Sequence, residues 1–172
     1  MLISIPKLGL VAFAASLIGL ASPVDAQDRA EVVSRFSSIW PHDCTYTGDG
    51  AAEGQDWVSY RCEGEGGIAI FLGYTDSVRL SLAFGAENPK IGLFSADREP
   101  NWPVEWRGRI IDGRFVPHAA IARMTTRRED DTVTWNSELV VFGLSGQACV
   151  LGKVHGAREN ERARQLADTG RC

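Results

Sequence analysis

This sequence lacks clusters of metal-ligating residues, catalytic motifs and an excess of positive charge. Its 18 lysines and arginines are outnumbered by 22 acidic residues, for a formal net charge of −4. A chain of this sign repels polyanions, so nucleic-acid binding is disfavoured. Three scattered histidines, and four cysteines without C-x-x-C spacing, predict no metal site. Gly64, Gly66 and Gly67 precede a predicted strand, whereas a phosphate-binding loop opens a helix, so we expect no nucleotide or other cofactor.

The sequence also contains no hydrophobic run long enough to cross a bilayer. Its apolar run over residues 8–20 follows Lys7 and is shorter than the ~20 residues that a spanning helix needs. Pro23 and a V-D-A cleavage site come next, which is typical of a secretory signal peptide. We therefore predict a cleaved signal at residues 1–26 and a single exported domain at residues 27–172, with no membrane anchor after cleavage.

Four cysteines remain in the exported domain, and an even number in an oxidising compartment predicts two disulfides. Three pairings are formally possible. We favour Cys44 with Cys62 and Cys149 with Cys172, because each pair then flanks one supersecondary unit. Each closed loop would stabilise the fold by about 3 kcal/mol through its effect on the unfolded chain.

Apolar and polar residues alternate with a period of two through most of the domain, which predicts half-buried strands. The stretch over residues 68–74 is apolar on both faces, as expected of a central strand, and Asp112-Gly113 is a strong hairpin signal. Residues 87–103 have no period and are expected to form an ordered loop. The predicted strands lie at residues 58–62, 68–74, 78–84, 104–110, 115–124, 133–141 and 148–154.

Helical spacing of apolar residues is found only near the two ends of the domain. Residues 28–40 carry apolar side chains three and four apart and precede Pro41, which predicts a short amphipathic helix. Residues 160–167 predict a second one, with Asn160 as its N-cap. The fold class is therefore mainly β (α+β): about seven antiparallel strands as a sheet, sandwich or barrel, between short terminal helices.

The carboxyl-terminal quarter of the chain carries a distinctive pattern of residues. The pattern consists of Cys149, Asn160, Ala163, Arg164, Leu166, Ala167, Asp168 and Cys172. It resembles the end of a group of small exported alphaproteobacterial proteins of unknown function. This resemblance implies a bacterial periplasmic or secreted location and assigns no catalytic residue.

Two indoles and two guanidiniums at the start of a predicted strand form the candidate binding surface. Aromatic and arginine side chains at a loop edge are common anchors of recognition surfaces, so Trp102, Trp106, Arg107 and Arg109 are its candidate residues. A structural interpretation competes and is favoured. In it Trp106 belongs to the core, Trp102 covers the end of that core, and the arginines solvate the outer face.

No catalytic residue is assigned, because no catalytic spacing occurs in the chain. Ser145 lies in G-L-S-G-Q, where the second glycine comes one place too early for a nucleophile elbow, so a hairpin turn is favoured. The leading hypothesis is a non-enzymatic exported domain that binds a protein or an envelope component. A small hydrolase is the first alternative, and it predicts a pocket with His118 or His155 beside a carboxylate of perturbed pKa. An inhibitor of a cell-wall lytic enzyme, acting through a loop at residues 87–103, is the second.

Overall fold

The computed structural model describes residues 31–76, 79–85, 94–96, 103–127 and 135–172. The predicted signal peptide and Trp102 lie outside these residues. Short 3₁₀ turns at Pro41–Asp43 and Ala51–Glu53 flank one of the strands. The elements are β1 (Val32–Ser37), β2 (Thr45–Asp49), β3 (Trp57–Cys62), β4 (Ala69–Thr75), β5 (Arg79–Gly85), β6 (Phe94–Ala96), β7 (Val104–Ile111), β8 (Arg114–Arg127), β9 (Trp135–Gly143), β10 (Cys149–Val154) and α1 (Glu159–Thr169).

The strands form two antiparallel sheets of five strands each. Sheet A has the order β1-β7-β8-β9-β10, and sheet B has the order β2-β3-β4-β5-β6. The strand predicted to be central, β4, is the middle strand of sheet B, with β3 and β5 as its neighbours. The mainly β prediction is confirmed.

The two sheets pack face to face and enclose the main core. The ring of Phe84, from sheet B, contacts Trp106 and Phe142 of sheet A at centroid distances of 5.6 and 4.8 Å. All three side chains are almost fully buried. Trp106 also donates its indole N–H to Ser37 Oγ at 3.0 Å, which satisfies its one polar atom. Of the three architectures left open by the sequence, the chain forms the sandwich.

Sheet A is buried on its second face as well, because α1 lies across β8, β9 and β10. Ala163 and Ala167 of the helix are at most 1% exposed, and their small side chains let the helix approach the sheet closely. This explains why residues 119–122 and 139–142 are buried on both faces of their strands. The molecule therefore has three layers, in the order sheet B, sheet A, α1.

Both predicted disulfides are present. Cys44–Cys62 ties the segment before β2 to the end of β3, and Cys149–Cys172 ties the start of β10 to the last residue of the chain. Among the described residues, no helix has the length and hydropathy of a membrane span.

The predicted amino-terminal helix is wrong, because the segment forms strand β1. Every residue of β1 pairs with β7, from Val32 opposite Arg109 to Ser37 opposite Val104. The apolar residues of V-V-S-R-F-S fit a helical period and a strand equally well, and pairing with the edge of sheet A decides between them.

Two smaller predictions also need correction, and one strand was not predicted. The loop expected at residues 87–103 contains strand β6 at its centre. The helix α1 begins at Glu159 rather than after Asn160, and its N-cap is Arg158 in the left-handed region (φ 53°), without a side-chain capping bond. Strand β2 was not predicted, since four of its five residues are exposed and no apolar alternation marks it.

Candidate functional site

Two ion pairs attach α1 to strand β7, one with its arginine on the strand and the other with its arginine on the helix. Arg107 of the strand donates from Nε and Nη2 to Asp168 of the helix at 3.1 and 2.7 Å. Arg164 of the helix donates in the same way to Glu105 of the strand, at 2.7 and 3.2 Å. Residues two apart on a strand and four apart on a helix each share one face, so the two pairs lie side by side. Such two-pronged arginine–carboxylate contacts fix geometry as well as adding energy.

A cavity of about 350 Å³ opens beside the carboxyl end of α1 and is here named the tail cleft. Its walls come from the β7–β8 hairpin, the turn between β9 and β10, and the last residues of the chain. The helix covers only part of the hairpin, and this leaves the cleft open to solvent. The lining residues are Arg109, Ile111, Val116, His118, Ser145, Asp168, Gly170 and Arg171.

His118 and Asp168 meet on the inner wall of the cleft, with His118 Nε2 3.4 Å from Asp168 Oδ1. Burial lowers the pKa of His118; Asp168 opposes this effect only in part, and the charges of Arg109 and Arg107 add to the lowering. Burial alone would raise the pKa of Asp168, but the hydrogen bonds and charge of Arg107, followed by His118, outweigh it and lower that pKa. At neutral pH the wall therefore presents a neutral imidazole and an ionised carboxylate already held by Arg107.

Two guanidinium groups of the cleft remain available to a ligand. Neither Arg109 nor Arg171 forms an ion pair within the described part of the chain, and Arg171 donates only to backbone carbonyls, including that of Gly170 at 2.8 Å. The negative charge of Asp168 is balanced by Arg107. The side chains that line the cleft therefore include two arginines and one carboxylate, in a chain whose net charge is −4.

Local backbone features place the cleft residues. The β7–β8 register shifts between Arg107 and Gly108, and this irregularity brings His118 onto the wall facing α1. The hairpin turns at Asp112 and Gly113, with φ of 50° and 74°, as predicted from their sequence.

The disulfide Cys149–Cys172 holds the last residues of the chain against sheet A. A Cβ added to Gly143 would lie 2.5 Å from Cys172 Sγ, so glycine makes room for the disulfide there. The peptide N–H of Gly170 donates to the carbonyl of Leu166 at 2.7 Å. Together these contacts fix the backbone on both sides of Arg171.

The candidate binding residues proposed from the sequence separate in the structure. Trp106 is fully buried in the sandwich core, and Trp102 lies outside the described residues. Arg107 belongs to the ion pairs that hold α1, and Arg109 alone reaches the cleft as a group available to a ligand.

Four other polar residues of the cleft come from three distant segments of the chain, namely His118, Ser145, Asp168 and Arg171. The pocket predicted for the hydrolase alternative, with His118 beside a carboxylate of perturbed pKa, is present, and Asp168 supplies that carboxylate. The sequence did not indicate that Ser145, Asp168 and Arg171 would join it. One partial signal existed. The carboxyl-terminal pattern contains Arg164 and Asp168, both of which bond to β7, and Ala163 and Ala167, which pack on sheet A. The residues of that pattern attach α1 to sheet A, and one of them, Asp168, also lines the cleft.

A second cavity, of about 400 Å³, lies near the amino end of α1. Its charged groups are engaged, because Arg164 pairs with Glu105 and Arg123 bonds Glu159 at 2.5 Å. His155 is exposed, away from both cavities. The tail cleft is therefore the stronger candidate site.

In the part of the chain that the structure describes, no three histidine, cysteine or acidic side chains come together as a metal site would require. Comparison with known proteins returns no matching family model, no matching curated protein and no matching solved structure. We therefore infer the function from the geometry of the cleft.

Proposed function

We propose that this protein is an exported, non-enzymatic binding domain of the bacterial envelope, which holds an anionic group of its ligand in the tail cleft. Its two disulfides support an oxidising compartment, since such bonds are rare in cytosolic proteins. The signal-like amino terminus and the resemblance of the carboxyl-terminal pattern support the periplasm or the exterior.

The observation that carries this proposal is the pair Arg109 and Arg171 in one cavity without carboxylate partners among the described residues. Elsewhere the described arginines mostly pair with acids, as in Arg35–Glu65, Arg61–Glu63 and Arg79–Asp76. A concave site with two available guanidiniums offers several donors to one anion. Small-ligand sites typically have this form, with a few convergent polar groups in a cavity.

A serine hydrolase is the second candidate, because Ser145 lines the same cleft as His118 and Asp168. Activation of a serine requires a hydrogen bond from its hydroxyl to the base. Among the described residues, His118 bonds Asp168 as the histidine of a triad would, but no hydrogen bond joins Ser145 to His118. The lack of this serine–histidine bond favours binding over catalysis. Covalent labelling of Ser145 by a fluorophosphonate, lost in Ser145→Ala, would instead support the hydrolase.

Titration of the purified, oxidised protein with sodium acetate tests the binding function directly. Two-dimensional NMR at constant ionic strength is expected to show saturable shifts at His118 and Ser145. Loss of one charge-assisted contact is expected to weaken binding by about tenfold or more, because such a hydrogen bond contributes about 1.5–3 kcal/mol. The variants Arg109→Gln and Arg171→Gln should both show this loss.

Arg79→Gln is the matched control, because Arg79 is an exposed arginine on sheet B and pairs with Asp76. It should bind acetate as the wild type does. Shifts that are absent from the cleft, or that persist unchanged when Arg109 and Arg171 are both replaced, would refute the proposed function.

A further inference from the structure

We infer that the ligand of the tail cleft is an organic acid whose single anionic head is joined to a short apolar body. This inference rests on the proposed function and adds the chemical class of the ligand. It follows from what lies beside the two guanidiniums rather than from the guanidiniums themselves.

The cleft has an aliphatic wall next to its charged one. Ile111 is 49% exposed and Val116 is 46% exposed, although both are branched aliphatic residues on regular strands. Val116 stands directly opposite Arg109 across the β7–β8 ladder, so its side chain and the guanidinium stem share one face of the sheet. A ligand that bonds Arg109 therefore places its next atoms against Val116.

The size of the cleft also favours an organic ligand over a bare inorganic anion. Its volume of about 350 Å³ is within the range of organic-ligand sites and about ten times the space of one water molecule. A bare inorganic anion would occupy a small part of this space and would leave Ile111 and Val116 in water. An aliphatic or aromatic group attached to the anion would remove both side chains from water, which is the favourable direction for apolar surface.

The anionic head group fits the arginine donors on the neighbouring charged wall. A guanidinium is planar and matches the two oxygens of a carboxylate with two parallel hydrogen bonds. With its Nε2 toward the ionised Asp168, the neutral imidazole of His118 adds no charge to the cleft. Asp168 is held by Arg107 and so does not compete with the ligand for Arg109.

Isothermal titration of the oxidised protein with acetate, hexanoate and inorganic phosphate separates this inference from the proposed function. Hexanoate carries four more methylene groups than acetate, and burial of two of them is expected to tighten binding by about tenfold. Hexanoate no tighter than acetate would overturn the inference, while measurable acetate binding would still uphold the proposed function. Binding of phosphate tenfold or more above hexanoate would also overturn the inference.

Val116→Ser tests the aliphatic wall and should leave the fold intact, because the side chain is already half exposed. It is expected to weaken hexanoate binding much more than acetate binding, so that most of the hexanoate advantage is lost. Val150→Ser is the matched control: Val150 is 41% exposed on β10 and does not line the cleft. An unchanged hexanoate advantage in Val116→Ser, or an equal loss in Val150→Ser, would contradict the inference.

A last comparison distinguishes two sources of the same chemistry. N-acetyl-leucine presents the carboxyl terminus of a peptide, whereas hexanoate presents a free aliphatic acid. Tighter binding of the first would assign a peptide terminus as the ligand, and tighter binding of the second would assign an aliphatic acid. Failure of both to exceed acetate would overturn the inference.

Discussion

Replacement of Asp168 by Asn is expected to destabilise the protein by about 2 kcal/mol, because it removes the charge that α1 presents to β7. Breaking a fully buried ion pair costs about 3–5 kcal/mol, and one hydrogen bond to a charged group contributes about 1.5–3 kcal/mol. The Arg107 side chain is 12% exposed and that of Asp168 is 27% exposed, so water partly relieves the loss. Asn also keeps one oxygen that can accept from Arg107. The lower part of the range is therefore expected.

Urea unfolding of the oxidised protein at pH 7, followed by tryptophan fluorescence, measures the loss of stability. The loss is read from the shift of the unfolding midpoint, provided that the dependence of the unfolding free energy on urea stays the same. Asp76→Asn is the matched control. Asp76 also pairs with an arginine, Arg79, but the two side chains are 65% and 57% exposed, and such surface pairs contribute about 0–1 kcal/mol. Asn also tolerates the left-handed backbone of Asp76, with φ of 52°. Equal losses for the two variants would refute the view that the Arg107–Asp168 pair fastens the helix.

Three further predictions follow from packing, covalent closure and titration. Gly108→Ala should lower the unfolding free energy by about 1–3 kcal/mol, because the added Cβ would lie 2.6 Å from the Phe115 ring. Gly73→Ala should lower it far less in the same urea assay, because its Cβ would lie 3.9 Å from the nearest atom, the Cβ of Ser81. Replacing Cys149 and Cys172 together by Ser should cost about 3 kcal/mol and abolish acetate binding, since this disulfide holds the tail that carries one wall of the cleft; retained binding would contradict that role. The pKa of His118 is lowered on folding from 6.5, so the unfolded chain takes up its proton first and stability should fall as pH drops below about 6.5. The difference in unfolding free energy between pH 7.5 and pH 5 should be smaller in His118→Asn than in the wild type. An equal difference in the two proteins would count against this role of His118.

Much of the sandwich could be predicted because its strands bury one or both faces in a regular way. The apolar run of β4 marks a strand covered on both faces, and it occupies the middle of sheet B. The disulfide pairing could also be predicted, since each pair closes a short loop. Strand β2 could not, because its residues are mostly exposed and hydrogen bonds to β3 alone define it.

Arg109 and His118 were named as candidates from the sequence, but their meeting with Asp168 in one cleft could not be predicted, for two physical reasons. His118 reaches its wall through a local shift of register between β7 and β8, which no side-chain pattern encodes. Asp168 meets Arg107 only because α1 crosses sheet A in one particular direction, and that direction depends on contacts across 61 residues of chain. The position of Trp106, in contrast, could be predicted. It alternates with polar neighbours along the strand, which predicts a core residue, and it lies in the core.

Intermolecular NMR contacts between ¹³C-labelled hexanoate and the methyl groups of the oxidised protein would show where the ligand lies. We expect contacts from the aliphatic end of the ligand to Ile111 and Val116, accompanied by a shift of the His118 ring resonances. Contacts confined to other methyl groups, or no contact at saturating ligand, would contradict this expectation.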